Sequence, residues 1–206
     1  MIRIITLERE FGSGGAAIAQ KLSERLGWTL WDRALTCKIA EKAHVDPTVV
    51  EGREERVDPL FYSLVKVFLR GSFERSLPVS GLESLDADSL LALMQQVIEQ
   101  AAAAGNCVIV GRGSPYFLRD RDDAFHVFTY APQEEKIRRL REICKSQAES
   151  VELIDTIDKE RAAFVKKYFG KDWPNRHLYH MMINTKVGDD LVVEMILKEI
   201  DALNRR

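Results

Sequence analysis

Residues 2–32, IRIITLEREFGSGGAAIAQKLSERLGWTLWD, constrain the fold more than any other stretch. An apolar, β-rich run (Ile2, Ile4, Ile5, Leu7) enters a glycine-rich turn. A helix opens from that turn with Ile18, Leu22 and Leu26 on one face, and Gly27 supplies a left-handed stop. A short second strand over 28–31 ends at Asp32. Successive N–H groups of a glycine turn point into one concavity, and the following helix adds its unpaired N–H groups and positive dipole end at the same spot. The stretch is therefore a strand–turn–helix unit built to hold an oxyanion by main chain.

Two motifs fit the turn. If Gly14 closes G-x-x-x-x-G-K-[ST], the pattern begins at Arg9, and Gly15 and Ala16 stand where the lysine and the hydroxyl belong. The pattern G-x-G-x-x-[GA] is met by Gly12, Gly14 and Ala17, with Asp32 placed as the ribose acid of a dinucleotide-binding oxidoreductase. Context favours the first, mononucleotide plan. Glu8, Arg9, Glu10 and Phe11 widen the loop before the first glycine, and the second strand leads into a long helical stretch instead of another βα unit.

That helical stretch begins with 33–43, and Asp58-Pro59 is an N-cap and N1 pair leading into Leu60, Phe61, Leu64, Val65, Phe68 and Leu69. Gly71, Pro78 and Gly81 break the pattern between 70 and 84, after which Asp86 or Asp88 caps a helix carrying Leu90, Leu91, Met94, Val97, Ile98 and Ala101, closed by Gly105. Strands resume at 107–110, which ends in Gly111-Arg112-Gly113, and at 124–130, followed by Pro132 and a charged helix. A helix over 150–169, a turn at 171–176 with Trp173-Pro174, a last strand at 180–184 and a closing helix at 189–203 complete the chain. The expected architecture is α/β, three layers, with a five-stranded parallel sheet and helices on both faces.

Composition limits the partners. At 206 residues and 46% hydrophobic, the chain suits one compact domain. Thirty Lys and Arg against 32 Asp and Glu leave a net charge of -2, no bulk attraction for nucleic acid or a membrane surface. Three scattered cysteines without a C-x-x-C pair, and an N-terminus that enters a strand directly, point to a reducing cytoplasm. No apolar run approaches the roughly 18 to 20 residues of a membrane span. The apolar face of 60–69 is compatible with either a monomer or a homodimer, and His177 and His180 read as structural because no third ligand lies near them.

The run ITLEREFGSGGAAIAQKLSERLGWTLWDRAL resembles the opening of the cytidylate kinase-like family, whose members commonly read REFGSGG in place of a full Walker sequence. Gly111-Arg112-Gly113, HVFTYAPQEEKIRRL, DKER and INTKVG follow in the order that family shows, so the resemblance covers nearly the whole chain. It implies a nucleoside monophosphate kinase of the P-loop NTPase superfamily: a core at 1–35, 105–145 and 178–206, a helical monophosphate-binding insert at about 36–104 and a helical lid at about 146–177. The implied reaction moves the γ-phosphoryl group of ATP, with Mg²⁺, to a small-molecule nucleotide, CMP or dCMP. The implied roles follow the family motifs. Gly12, Ser13, Gly14, Gly15, Ala16 and Ala17 cradle phosphate, Thr185 sits in the loop that packs on the donor base, and Arg9 supplies the cation absent at Gly15. Arg139 and Arg161 arrive on the lid side, and Asp32, Lys38, Arg112 and Asp158 hold the acceptor. Glu10, with Glu8 and Asp32 as further carboxylates, lies near Mg²⁺. The acid that reads cytosine in ordinary cytidylate kinases is Gly113 here. With Gly15 and Ala16 in place of lysine and hydroxyl, a non-catalytic nucleotide-binding regulatory relative stands beside the kinase as the second reading.

Overall fold

The computed structural model describes residues 1–42, 87–141 and 144–205. Five strands, β1 (Ile4–Arg9), β2 (Thr29–Trp31), β3 (Cys107–Val110), β4 (Ala124–Tyr130) and β5 (Met181–Asn184), form one sheet in the order β2-β3-β1-β4-β5. Every pair is parallel. The central strand β1 is buried along its whole length, its apolar residues as expected of a central strand and Thr6, Glu8 and Arg9 with them. Alternation of side chains then sorts the core into two layers. Ile5, Leu7, Val108, Val110 and Val127 pack under α1 (Gly15–Leu26) and α7 (Asp189–Asn204), whose Ile18, Leu22, Val192 and Ile196 close that side. Ile4, Cys107 and Ile109 face α3 (Ala87–Ala104) and α6 (Gln147–Phe169), with Leu35 of α2 (Arg33–Lys42) beside them.

The strand order decides between the two motif readings. A dinucleotide-binding sheet places β2 against β1, whereas here β3 lies between them and β1 pairs with β3 and β4. The oxidoreductase alternative is thereby overturned. Parallel strands ending at one edge put the glycine turn after β1, the Gly111–Gly113 turn after β3 and the exit of β4 side by side.

Several boundaries differ from the expected ones for identifiable reasons. Trp28 is still part of the exit from α1, its N–H donating to Ser23 O at 2.9 Å, so β2 starts one residue later. The long helix α6 starts at Gln147 and not at 150, because Ser146 caps it: its Oγ accepts from Glu149 N–H at 3.1 Å, while Glu149 Oε2 accepts from Lys145 N–H at 2.7 Å. Two short elements were not expected, α4 (Ser114–Phe117) after β3 and a 3₁₀ turn at Thr185–Val187 after β5. The charged helix forms as α5 (Gln133–Leu140). The expected helix at 58–69, the connection at 70–84 and most of the 36–104 insert lie outside the described residues.

One buried polar pair joins β1 to β4. Thr6 Oγ1 and His126 Nδ1 are 2.7 Å apart at a register pair of the two strands, and the His126 ring stacks on His180 with centroids 5.1 Å apart. Burial, reinforced by His180, pushes His126 down to about 4. A neutral folded imidazole and an unfolded one that protonates below its ordinary value make stability fall as pH drops from about 6.5 to about 4. We expect this group to remove about 2 kcal/mol between pH 7 and pH 5. Urea unfolding of the wild type and of His126→Asn at both pH values measures it; an equal pH slope in the two proteins would show that His126 contributes none.

Candidate functional site

The glycine turn is held in place by side chains from three distant elements. Phe11 N–H donates to Asp158 Oδ1 at 2.8 Å, Thr185 Oγ1 donates to Ser13 O at 2.7 Å, and Ser13 Oγ lies 3.2 Å from Thr129 Oγ1. Gly12 and Gly14 take positive φ (75° and 81°), which turns the chain into α1 and leaves the first-turn N–H groups of Gly15, Ala16 and Ala17 at the helix mouth. The side chains of Ser13 and Thr185 are buried and bonded within the protein, so they brace the turn from behind.

Gly15 stands where a P-loop lysine would be, and the structure leaves no room there for a side chain. A Cβ would fall 2.8 Å from Thr129 Oγ1, 2.9 Å from Arg9 Cβ and 3.0 Å from Leu7 Cδ2.

Cations reach the turn from α5 instead. Arg139 lies across Gly14, with its Cζ 2.7 Å from the place of a Gly14 Cβ, and Asp189 grips its guanidinium through Nη1–Oδ2 (3.1 Å) and Nη2–Oδ1 (2.7 Å). Lys136, one turn earlier on α5, packs its Cβ 3.1 Å from the place of a Gly12 Cβ. Its ammonium sits 2.6 Å from Glu10 Oε2 and 3.3 Å from Asp158 Oδ2. Glu10, expected beside Mg²⁺, is therefore engaged by Lys136, and Asp158, expected at the acceptor, is an internal tie. Burial raises the Asp158 carboxyl, with Arg161, the Phe11 N–H and Lys136 opposing it. Among the described residues, no group of three His, Cys, Asp or Glu side chains is placed to hold a metal.

Beside the turn, Glu8, Arg9, Arg112, Gly113, Arg161, Phe164, Val165 and Trp173 line a small pocket. Arg112 sits between two glycines and itself has a φ of 59°, a left-handed backbone uncommon for a side-chain residue. Its Nη1 donates to Val110 O at 2.9 Å and to Asp32 Oδ1 at 3.2 Å, so Arg112 and Asp32, both expected at the acceptor, form a buried ion pair with each other. Arg161 donates to Arg9 O at 2.8 Å and to Asp158 Oδ1 at 3.3 Å. Burial, then the charge of Arg9, lowers Arg161 to about 10; burial likewise lowers Arg112. Burial raises Glu8 against the pull of the arginines. Arg9, expected at the glycine turn, packs its guanidinium over Gly111 and joins this pocket. Lys38 stands on the exposed side of α2 and is not among the pocket residues.

The Gly113 position is walled by aromatics. A Cβ there would meet the Phe169 ring at 3.0 Å and Phe164 Cε1 at 3.2 Å. An acid in place of this glycine would require those rings to shift.

A family model described as the cytidylate kinase-like family matches residues 4–187. No curated protein sequence matches. Among solved structures, an uncharacterized protein from Eubacterium ventriosum is similar at 22% identity and a TM-score of 0.70, over 98% of this chain and 99% of that one. A shikimate kinase from Bacteroides thetaiotaomicron is similar at 17% identity and a TM-score of 0.56, over 98% and 99%. A shikimate kinase from Acinetobacter baumannii, solved with shikimate, is similar at 15% identity and a TM-score of 0.54, over 100% and 97%. These structures share the fold, that of P-loop kinases.

The crowding at Gly15 has a direct test. Gly15→Ala is expected to lower the unfolding free energy by about 1–3 kcal/mol, through overpacking against Thr129, Arg9 and Leu7. Urea denaturation measures the change, and a variant as stable as the wild type would show that α1 withdraws without cost.

Proposed function

The chain belongs to the cytidylate kinase-like family, and from that premise we propose that it is a phosphotransferase moving the γ-phosphoryl group of ATP to a nucleoside monophosphate, CMP or dCMP. The observation that carries the reading is the adjacency of two anion sites at one edge of the sheet: the glycine turn with Arg139, and the pocket of Arg9, Arg112 and Arg161. Phosphoryl transfer asks chiefly for in-line positioning and for cations around the transferring group. In this reading the turn holds the donor phosphates, and Arg112 and Arg161 hold the acceptor phosphate. An acceptor phosphate oxygen bonds to the γ-phosphorus as its bond to the β–γ bridging oxygen breaks, and ADP leaves.

Mg²⁺ when bound neutralises charge on the β- and γ-phosphate oxygens. The side chains present do not fit a protein-held ion: Ala16 has no hydroxyl, Glu10 is paired with Lys136, and Asp32 with Arg112. We assign the ion to the phosphates of ATP and water, and no step of the protein's own residues to it.

One observation favours the second reading, a nucleotide-binding relative without turnover: the lysine position is closed at Gly15. A coupled assay with ATP, Mg²⁺ and a panel of monophosphates separates the two. Turnover is expected, best with CMP or dCMP; nucleotide binding without turnover would establish the second reading, and no binding at all would end both. Arg112→Lys, which keeps the charge and loses the guanidinium fork, is expected to raise the acceptor KM about 10-fold with little change in ATP affinity. An unchanged acceptor KM would remove Arg112 from the acceptor site.

A further inference from the structure

Resting on the phosphotransferase reading, we propose that Arg139 is the cation that acts at the glycine turn in place of the absent lysine, and that Asp189 is the positioning residue that fixes it there. Among the described residues, three cations stand beside the turn, and their placements separate them. Arg9 carries its guanidinium over Gly111, toward the acceptor pocket. Lys136 is locked between Glu10 at 2.6 Å and Asp158 at 3.3 Å, with a side chain 9% exposed. Arg139 instead lies on the turn itself and keeps 21% of its side chain exposed.

The approach depends on Gly14. Any Cβ there would run into the guanidinium, so the same glycine that permits the left-handed turn also admits the cation. A guanidinium carries five N–H donors in a fixed fork. Asp189 takes one from each terminal nitrogen, and the buried Nε has no partner among the described residues. Asp189 belongs to the first turn of α7, where a carboxylate is favoured by the helix dipole. The pair thus fixes a charge-bearing plane from α5 against α1, with the orientation set from α7. A lysine rising from α1 has been exchanged for an arginine laid across it.

The experiment measures ATP and inorganic tripolyphosphate binding by calorimetry, with folding followed by circular dichroism. It compares the full chain with Arg139→Ala, Arg139→Lys, Asp189→Asn, Asp189→Glu and Arg9→Ala. Tripolyphosphate reports the turn without a base. Arg139→Ala is expected to weaken both probes by about 10- to 100-fold, the loss of charge-assisted hydrogen bonds. Arg139→Lys should recover part of the affinity. Asp189→Asn should weaken both probes by a smaller factor at an unchanged melting temperature, with Asp189→Glu recovering it. Arg9→Ala, which removes a charge from the neighbouring pocket, should weaken both probes less than Arg139→Ala does. A folded Arg139→Ala protein that binds tripolyphosphate like the wild type overturns the proposal, as does a larger loss from Arg9→Ala. If Arg139→Ala does not fold, Asp189→Asn decides, since unchanged binding by that variant refutes the positioning role. A wild-type chain that binds neither probe removes the nucleotide reading itself, a result distinct from a defect confined to the variants.

Discussion

The Asp158 carboxylate, half-buried on α6, accepts the Phe11 N–H at 2.8 Å and faces both Lys136 and Arg161 at 3.3 Å. That one group ties the entry of the glycine turn to α5 and to the arginine of the neighbouring pocket. A turn of main-chain donors cannot hold its own shape, because its N–H groups must stay unbonded to be useful. Rigidity has to come from outside. Asp158 supplies it at the start of the turn, and Thr185 supplies it at Ser13. Asp158 takes its place only when α6 packs on the sheet, and Thr185 only when β5 pairs with β4.

The charges beside the turn are placed against their solvation preference. Arg9, Arg112 and Arg161 share one buried pocket with Glu8, and moving such ions out of water costs several kcal/mol apiece unless they are paired. Asp32 and Asp158 supply part of that pairing. The depressed Arg161 guanidinium registers what is left, since burial and Arg9 both work against its charge.

The architecture was legible because it follows from local rules. Continuous apolarity identified β1, β3 and β4, glycine stops ended α1 and α6, and the helical stretch after β2 separated this sheet from a dinucleotide fold. The wiring of the site was less legible, because it depends on residues far apart in the chain. Phe11 meets Asp158 across 147 positions, and Thr185 meets Ser13 across 172. Arg139 and Arg112 were found by motif, but their partners differ in visibility: Asp32 ends a strand in a family motif, whereas Asp189 looks like an ordinary acidic helix start. Lys136 was missed. Its signal was its place on α5, three residues before Arg139 and four before Leu140, the leucine that also packs on Gly12. The crowding at Gly15 had no sequence signal, because it comes from Thr129 on another strand.

The sheet order also has a consequence for how the molecule is made. β1 lies at the centre, yet its two neighbours are β3 and β4, which follow roughly a hundred or more residues later. A chain emerging from its N-terminus therefore presents the IITL run and the glycine turn long before any strand exists to pair with them. Contacts of such sequence separation form slowly, and unpaired apolar strands are open to wrong partners in the interval. Completion of the sheet edge that carries the glycine turn is accordingly a late event in synthesis, and the N-terminal strand stays unpaired until β3 and β4 have followed it.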